Sequence, residues 1–298
     1  DSQFSVRTLV AYVVALPAAV LPLPVAVGLI YLTAWFSIAY GLFCYIQGLT
    51  DNPLTAVLVC GAALVVTPFW TLGGNDMIHS QFTPSMGAWA LAVWGLFHHI
   101  EDRPFRTGLF LGLATLMQAL VGLQVCMLVC GVTLLGARRD QWKQTLRFLA
   151  ILLGTYAITA LPALGPLFAQ QFAAMQSSSG GGAEQMFYIM AAFRNPHHYL
   201  YHSFDEGRRF IFLVMAGITP LIWLIFRPDT AHRYLLRMFA VILVVCALAY
   251  VGTEVVPVLP IAKLQLFKTT VVAKPLLLML LIGSVLVLVP ERTERWVE

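Results

Sequence analysis

From residue 9 to 47, and again from 107 to 135, the chain carries not one Asp, Glu, Lys or Arg. Runs of about 20 apolar residues match a hydrocarbon core of roughly 30 Å. Only 11% of the 298 residues are charged, against 59% hydrophobic, and the mean hydropathy is +0.81. A soluble domain usually needs about a quarter of its residues charged. The expected fold class is therefore all-α: a polytopic transmembrane helical bundle of roughly eight or nine spans, forming one domain over 1–298. Membrane lipids are the expected surroundings.

The net charge of +4 is small and scattered, and no basic tract alternates with aromatics, so nucleic acid is not an expected partner. Cys44, Cys60, Cys126, Cys130 and Cys246 all fall inside apolar runs, where thiols behave as small hydrophobes. Neither disulfides nor a metal site is expected from them. The chain opens on Asp1, with no basic start and cleavage site of a secretory signal. One or more helices are expected to precede it.

Punctuation by Pro and Gly divides the runs into a short helix at 8–21 and spans at 24–48, 54–71, 84–99, 146–168, 209–226, 234–252 and 270–290. The stretch 107–135 reads as one tilted helix or as two that enter and return, interrupted at Gln118 and Gln124. The segment 169–208 reads as a long external loop, flexible at its centre, Ser177 to Gly182. The short segments 101–106, 136–147, 227–237 and 291–298 hold eleven of the eighteen Lys and Arg. Such segments stay in the cytoplasm. They share one side only if 107–135 makes two crossings, which favours the two-helix reading. Residues 1–7, 72–83, 169–208 and 253–268 then face outward.

That outward side gathers the unusual residues. The 72–83 loop carries Asp76 and His79. The long loop carries Arg194-Asn195-Pro196-His197-His198-Tyr199 and, further on, His202, Asp205 and Glu206. The last outer segment adds Glu254, Lys263, Gln265, Lys268 and, just inside the final span, Lys274. Four of the seven histidines lie here. Two readings stand side by side: an interfacial belt of aromatic and His side chains with snorkelling lysines, or a site for a polar, anionic substrate. His198 and His202 would share a helix face, a spacing that also admits a divalent cation with Asp205, although no HExxH-type pattern is present.

The motif Arg194-Asn195-Pro196-His197-His198 resembles an Arg-x-Pro-His-His signature of an uncharacterised branch of bacterial membrane proteins with the GT-C glycosyltransferase architecture. The closing Gln265-Leu266-Phe267-Lys268 is similar to that branch's Gln-x-x-Arg/Lys segment. The charged turn from His98 to Arg106, followed by a helix pair, also resembles this architecture. The resemblance implies a bacterial inner-membrane, multi-pass enzyme that transfers a sugar from a polyprenyl-phosphate carrier on the external face. It implies an acidic catalytic residue in the first outer loop, often with a divalent cation; Asp1 is the position nearest that loop. On this reading Asp1, Asp76, His197 and His198 are the candidate catalytic residues. Arg194, His79, His202, Lys263, Gln265 and Lys268 would bind substrate or phosphate. The alternative is a non-catalytic membrane protein or transporter in envelope polysaccharide assembly or export.

Overall fold

The computed structural model describes residues 8–65, 71–73, 76–177, 182–194, 196–226 and 230–288. Among these residues the chain is helical, with turns and no strand. Five helical stretches are long and apolar enough to cross a membrane: Leu23–Thr50, Ala119–Gly136, Arg139–Ala169, Arg233–Val255 and Leu259–Ile282.

Helix α1 (Thr8–Ala18) ends where Pro22 and Pro24 force a break before α2 (Leu23–Thr50). Helix α2 closes at Asp51, held left-handed at φ 51°, and Pro53 starts α3 (Pro53–Val65). Thr83 caps α4 (Pro84–Ile100), its side chain accepting from the Met86 N–H. A charged turn leads to α5 (Pro104–Met117). Gln118, in extended conformation, separates α5 from α6 (Ala119–Gly136). Gly122 packs directly against Thr115 and the Leu111 carbonyl. In one straight helix residues eleven apart lie about 16 Å from each other. The two helices therefore fold back on one another, as the two-helix reading expects.

Helix α7 (Trp142–Ser177) runs through Pro162 and Pro166 and is much longer than the 146–168 span expected. Within the expected loop 169–208 the described residues are largely helical. After α7 come α8 (Gly182–Phe187), a π-helical turn Tyr188–Arg194, α9 (Pro196–Tyr199) and a 3₁₀ turn Tyr201–Ser203. Loop residues were expected from Pro, Ser and Gly content, but Ala169–Met175 is rich in helix formers and carries α7 onward. The flexible centre expected at Ser177 to Gly182 falls mostly on 178–181, outside the described residues. Helix α10 (Glu206–Phe226) and α11 (Thr230–Tyr250) follow, then a second π-helical turn Val251–Val255, α12 (Leu259–Lys263), a 3₁₀ turn Leu266–Thr269 and α13 (Thr270–Leu288).

Helix α13 fills the bundle centre, with Val271 to Leu280 all buried. Around it the interlocking pairs fix direction. Ser37 Oγ donates to the Ala90 carbonyl, and Gly41 and Gly48 sit against Val93 and Ile100, so α2 and α4 run parallel. Gly136 touches Arg237, and Tyr234 meets Tyr45 and His99. The basic turns 101–106, 136–142 and 230–237 thus lie at one end of the bundle. The segments 71–80, 196–206 and 252–270 lie at the other.

A closed polar chain ties the basic end. His99 Nε2 is 2.9 Å from Thr133 Oγ1, whose own proton goes to the Val129 carbonyl at 2.8 Å. Thr133 must therefore accept, so Nε2 carries the hydrogen and Nδ1 accepts from Tyr234 O–H at 3.0 Å. Tyr45 O–H donates in turn to Tyr234 at 3.5 Å. One histidine thereby joins α2, α4, α6 and α11 with each polar atom satisfied, as a dry interior demands.

Candidate functional site

At the opposite end, Leu72 is strapped to the start of α13. Its N–H donates to Thr270 Oγ1 at 2.8 Å, and the Thr270 hydroxyl lies 3.2 Å from the Leu72 carbonyl and 2.8 Å from that of Phe267. The strap sets Gly73, at φ 75°, beside Lys268: a Cβ there would stand 3.3 Å from Lys268 Cγ. On its other side the Gly73 carbonyl accepts from His198 Nδ1 at 2.9 Å. Lys268 and His198 therefore flank one glycine. A carbonyl partner fixes the His198 hydrogen on Nδ1, leaving Nε2 for a ligand.

Pro196 opens α9, its fixed φ suiting a first helical position, and α9 presents the His pair. The His197 and His198 rings lie 4.2 Å apart, His197 exposed and His198 half-buried. Burial holds His198 below the usual imidazole pKa, and the Lys268 and His197 charges push the same way. His79 is also held low, chiefly by burial and further by Lys268, against the opposing pull of Asp76. Both imidazoles are thus neutral at pH 7 while Lys268 supplies positive charge.

Asp76, expected among the catalytic residues, is engaged at both carboxylate oxygens. Its Oδ2 lies 2.9 Å from Lys274 Nζ, and its Oδ1 accepts from the Met77 N–H at 2.8 Å. Lys274 is buried and Asp76 half-buried, with side-chain exposures of 3% and 17%. A carboxylate engaged at both oxygens neutralises a buried ammonium first. Beside it lies a cavity of about 210 Å³, lined by Ile38, Leu42, Leu64, Ile78, Val271 and Pro275 among others.

Gln265 takes a left-handed turn at φ 49° between α12 and α13. Gln124 Nε2 donates to the Leu264 and Gln265 carbonyls at 2.7 and 3.0 Å. Gln265 Nε2 donates to Tyr199 Oη at 2.6 Å, binding α9 to the same turn. Gln124, read from sequence only as a helix interruption, is thus a clamp on the site. Its place in an apolar run signals a need for buried carbonyl partners, not which ones.

The remaining candidates separate. His202 is 67% exposed and engages Glu254 through its ring at 2.9 Å and its N–H at 3.1 Å, fastening the 3₁₀ turn to the second π-helical turn. His202 does not share a helix face with His198, because the chain breaks at Leu200 between them. Lys263 closes α12, half-buried. Asp1, Asn195 and the side chain of Arg194 lie outside the described residues.

Among the described residues no three His, Cys, Asp or Glu side chains come together as a metal site. Asp76 is engaged by Lys274 and its neighbours are cationic or neutral, so these residues do not fit a divalent cation. Lys268, half-buried beside the left-handed Gly73, supplies the positive charge that an anion needs, and the neutral imidazoles stand near it to take a proton. Comparison with protein-family models, curated proteins and solved structures finds no match to this chain.

Proposed function

We propose that this end of the bundle binds a phosphate group at the membrane boundary, and that the chain is a GT-C-like glycosyltransferase moving a sugar from a polyprenyl-phosphate carrier. One observation carries the reading: Lys268 and His198 both meet Gly73, with His79 within electrostatic reach of Lys268, on segments drawn from three distant parts of the sequence. Such convergence at the end of an otherwise apolar bundle favours a polar ligand over a belt of independent interfacial side chains. The basic turns at the other end support a cytoplasmic location for that end and an external one for the site. In this reading the helices shorter than a full crossing (α3, α4 and α5) contribute to a total of eight or nine passes through a bacterial inner membrane.

The chemistry asked of the site is modest. An acceptor hydroxyl attacks the anomeric carbon, the bond from that carbon to the phosphate oxygen breaks, and the phosphate departs with the electron pair. Lys268 stabilises the charge that gathers on it, while His198 Nε2, whose lone pair is left open by the Nδ1 bond to Gly73, faces the acceptor hydroxyl. The acceptor's proton passes to a neutral imidazole, since Asp76 is held by Lys274.

The Asp76–Lys274 pair beside an apolar cavity favours the second reading, a transporter of an amphiphile, because ionisable residues at depth mark transport paths. Reconstitution separates the two. Full-length protein in liposomes, supplied with labelled polyprenyl-phosphate sugar and bacterial lipid and glycan acceptors, should release free polyprenyl phosphate. Movement of intact labelled lipid across the bilayer with no release would select transport instead.

A further inference from the structure

The turn that joins α6 to α7 opens a stretch of uncompensated positive charge. Arg138, Arg139, Lys143 and Arg147 stand there against a single acid, Asp140, and all five side chains are exposed. Among the described residues none of the four cations has an ion pair, a side-chain hydrogen bond or a ring contact. Lys143 and Arg147, four apart on α7, share a face, and Arg139 stands one turn before them on the same helical stretch, Arg139–Ala169. Like charges at that spacing repel, and no carboxylate relieves them.

The rest of α7 shows which way this face looks. Its packed side carries Leu149, Leu152 and Tyr156, all buried, and Gly108 of α5 meets Leu152, Thr155 and Tyr156. Lys143 and Arg147 lie on the other side, flanked by Trp142 and Leu146, which are 46% and 47% exposed. One turn further the same side becomes wholly apolar, with Ala150, Leu153, Gly154, Ala157 and Ile158 exposed. No charged residue follows from 148 to 183.

That order of groups selects the ligand. A soluble anion, or an acidic protein, would use the cations and leave the apolar face below them bare. A phospholipid carries its phosphodiester at the height of the cations and its chains along that face. Trp142 marks the same level, since indole rings settle at headgroup depth. Retention of a loop on one side of the membrane asks only for positive charge in the loop. It does not ask for Lys143 and Arg147 to continue that charge down the lipid-facing side of a span. We propose that Arg139, Lys143 and Arg147 hold the headgroup of an anionic phospholipid in the leaflet at the basic end, its chains lying against α7. The site stands apart from Lys268, which is at the opposite end of the bundle.

The test adds mixed micelles of phosphatidylglycerol and phosphatidylcholine, with matched acyl chains, to the detergent-solubilised full chain and counts retained lipid by native mass spectrometry. The native protein should favour phosphatidylglycerol about tenfold, and raised salt should weaken the preference. Lys143→Gln/Arg147→Gln should bring the ratio to about twofold or less, since a cation near the surface contributes about fivefold. Both side chains are exposed, so the melting temperature in neutral detergent should hold. Arg147→Lys keeps the charge and should keep the preference within about twofold. Lys268→Met should keep it as well. No preference in the native protein, or one that survives the double substitution, would overturn the lipid site. A preference lost in Lys268→Met alone would place the headgroup at the other end and overturn it too. Glycerol 3-phosphate competing as well as the lipid would reduce the cations to a site for soluble anions.

Discussion

Lys274 Nζ lies 2.9 Å from Asp76 Oδ2, joining residues 198 positions apart in a setting that leaves the lysine side chain 3% exposed. The pair anchors the 71–80 loop to α13, and with it the position of Gly73 and His79. Removing one partner takes the ion pair from a charge largely shielded from water, which should cost about 3 kcal/mol. Asp76→Asn and Lys274→Met should each lower the melting temperature strongly, and the Asp76→Asn/Lys274→Met double variant should recover much of the loss. Loss of activity by Asp76→Asn at unchanged melting temperature would instead return Asp76 to a catalytic role.

The α5–α6 hairpin rests on Gly122. A side chain there would enter Thr115 and the Leu111 carbonyl, and backbone cannot step aside as a flexible side chain can. Gly122→Val should therefore abolish the folded bundle, seen as aggregation in size-exclusion chromatography. Gly28→Ala and Gly61→Ala meet nothing within 4 Å and should be neutral or slightly stabilising, since alanine favours helix.

At the basic end, Tyr234→Phe removes the hydroxyl that serves both His99 Nδ1 and Tyr45. The orphaned imidazole nitrogen should cost about 1–3 kcal/mol, read as a lowered thermal midpoint in detergent. Ligand affinity should not change, because the network lies at the far end from Lys268.

Stability should also depend on pH. His79 and His198 are held below their usual value of 6.5, first by burial. Around them stand Lys268 and His197, which push the same way, and Asp76, which opposes at His79. The unfolded chain therefore binds protons that the folded chain resists. Stability is complete above about pH 6.5 and falls as pH drops toward the folded values. A His79→Gln/His198→Gln variant should show a flatter midpoint-against-pH curve between pH 7 and 5; an unchanged slope would place both imidazoles in water.

Much of the bundle was readable in advance because hydrophobic run length and proline placement are local properties. The breaks at Pro22, Asp51 and Gln118 follow directly from them, as does the restart at Pro196. The sidedness of the basic turns was also legible, since it depends on composition alone. The helical course of 169–177 and 182–194 was not: Ser177 and the glycines suggested a loop, while the helix formers before them carried α7 onward. Pairings across long sequence separations were equally hidden. Nothing local to Asp76 announces Lys274, and His202 looks like its neighbour His198 until Glu254 is seen to hold it elsewhere. Gln124 was read only as an interruption, because a polar side chain in an apolar run has no assigned role until its partners are known.

The central claim is that Lys268, beside Gly73 and His198, receives a phosphate. Binding of polyprenyl phosphate to the full-length protein in nanodiscs, compared with the uncharged polyprenol, tests it most directly. The native protein should prefer the phosphate at least tenfold, and Lys268→Met should lose that preference while its melting temperature and circular dichroism stay unchanged. Equal affinity for phosphate and alcohol, or a preference that survives Lys268→Met, would contradict the account.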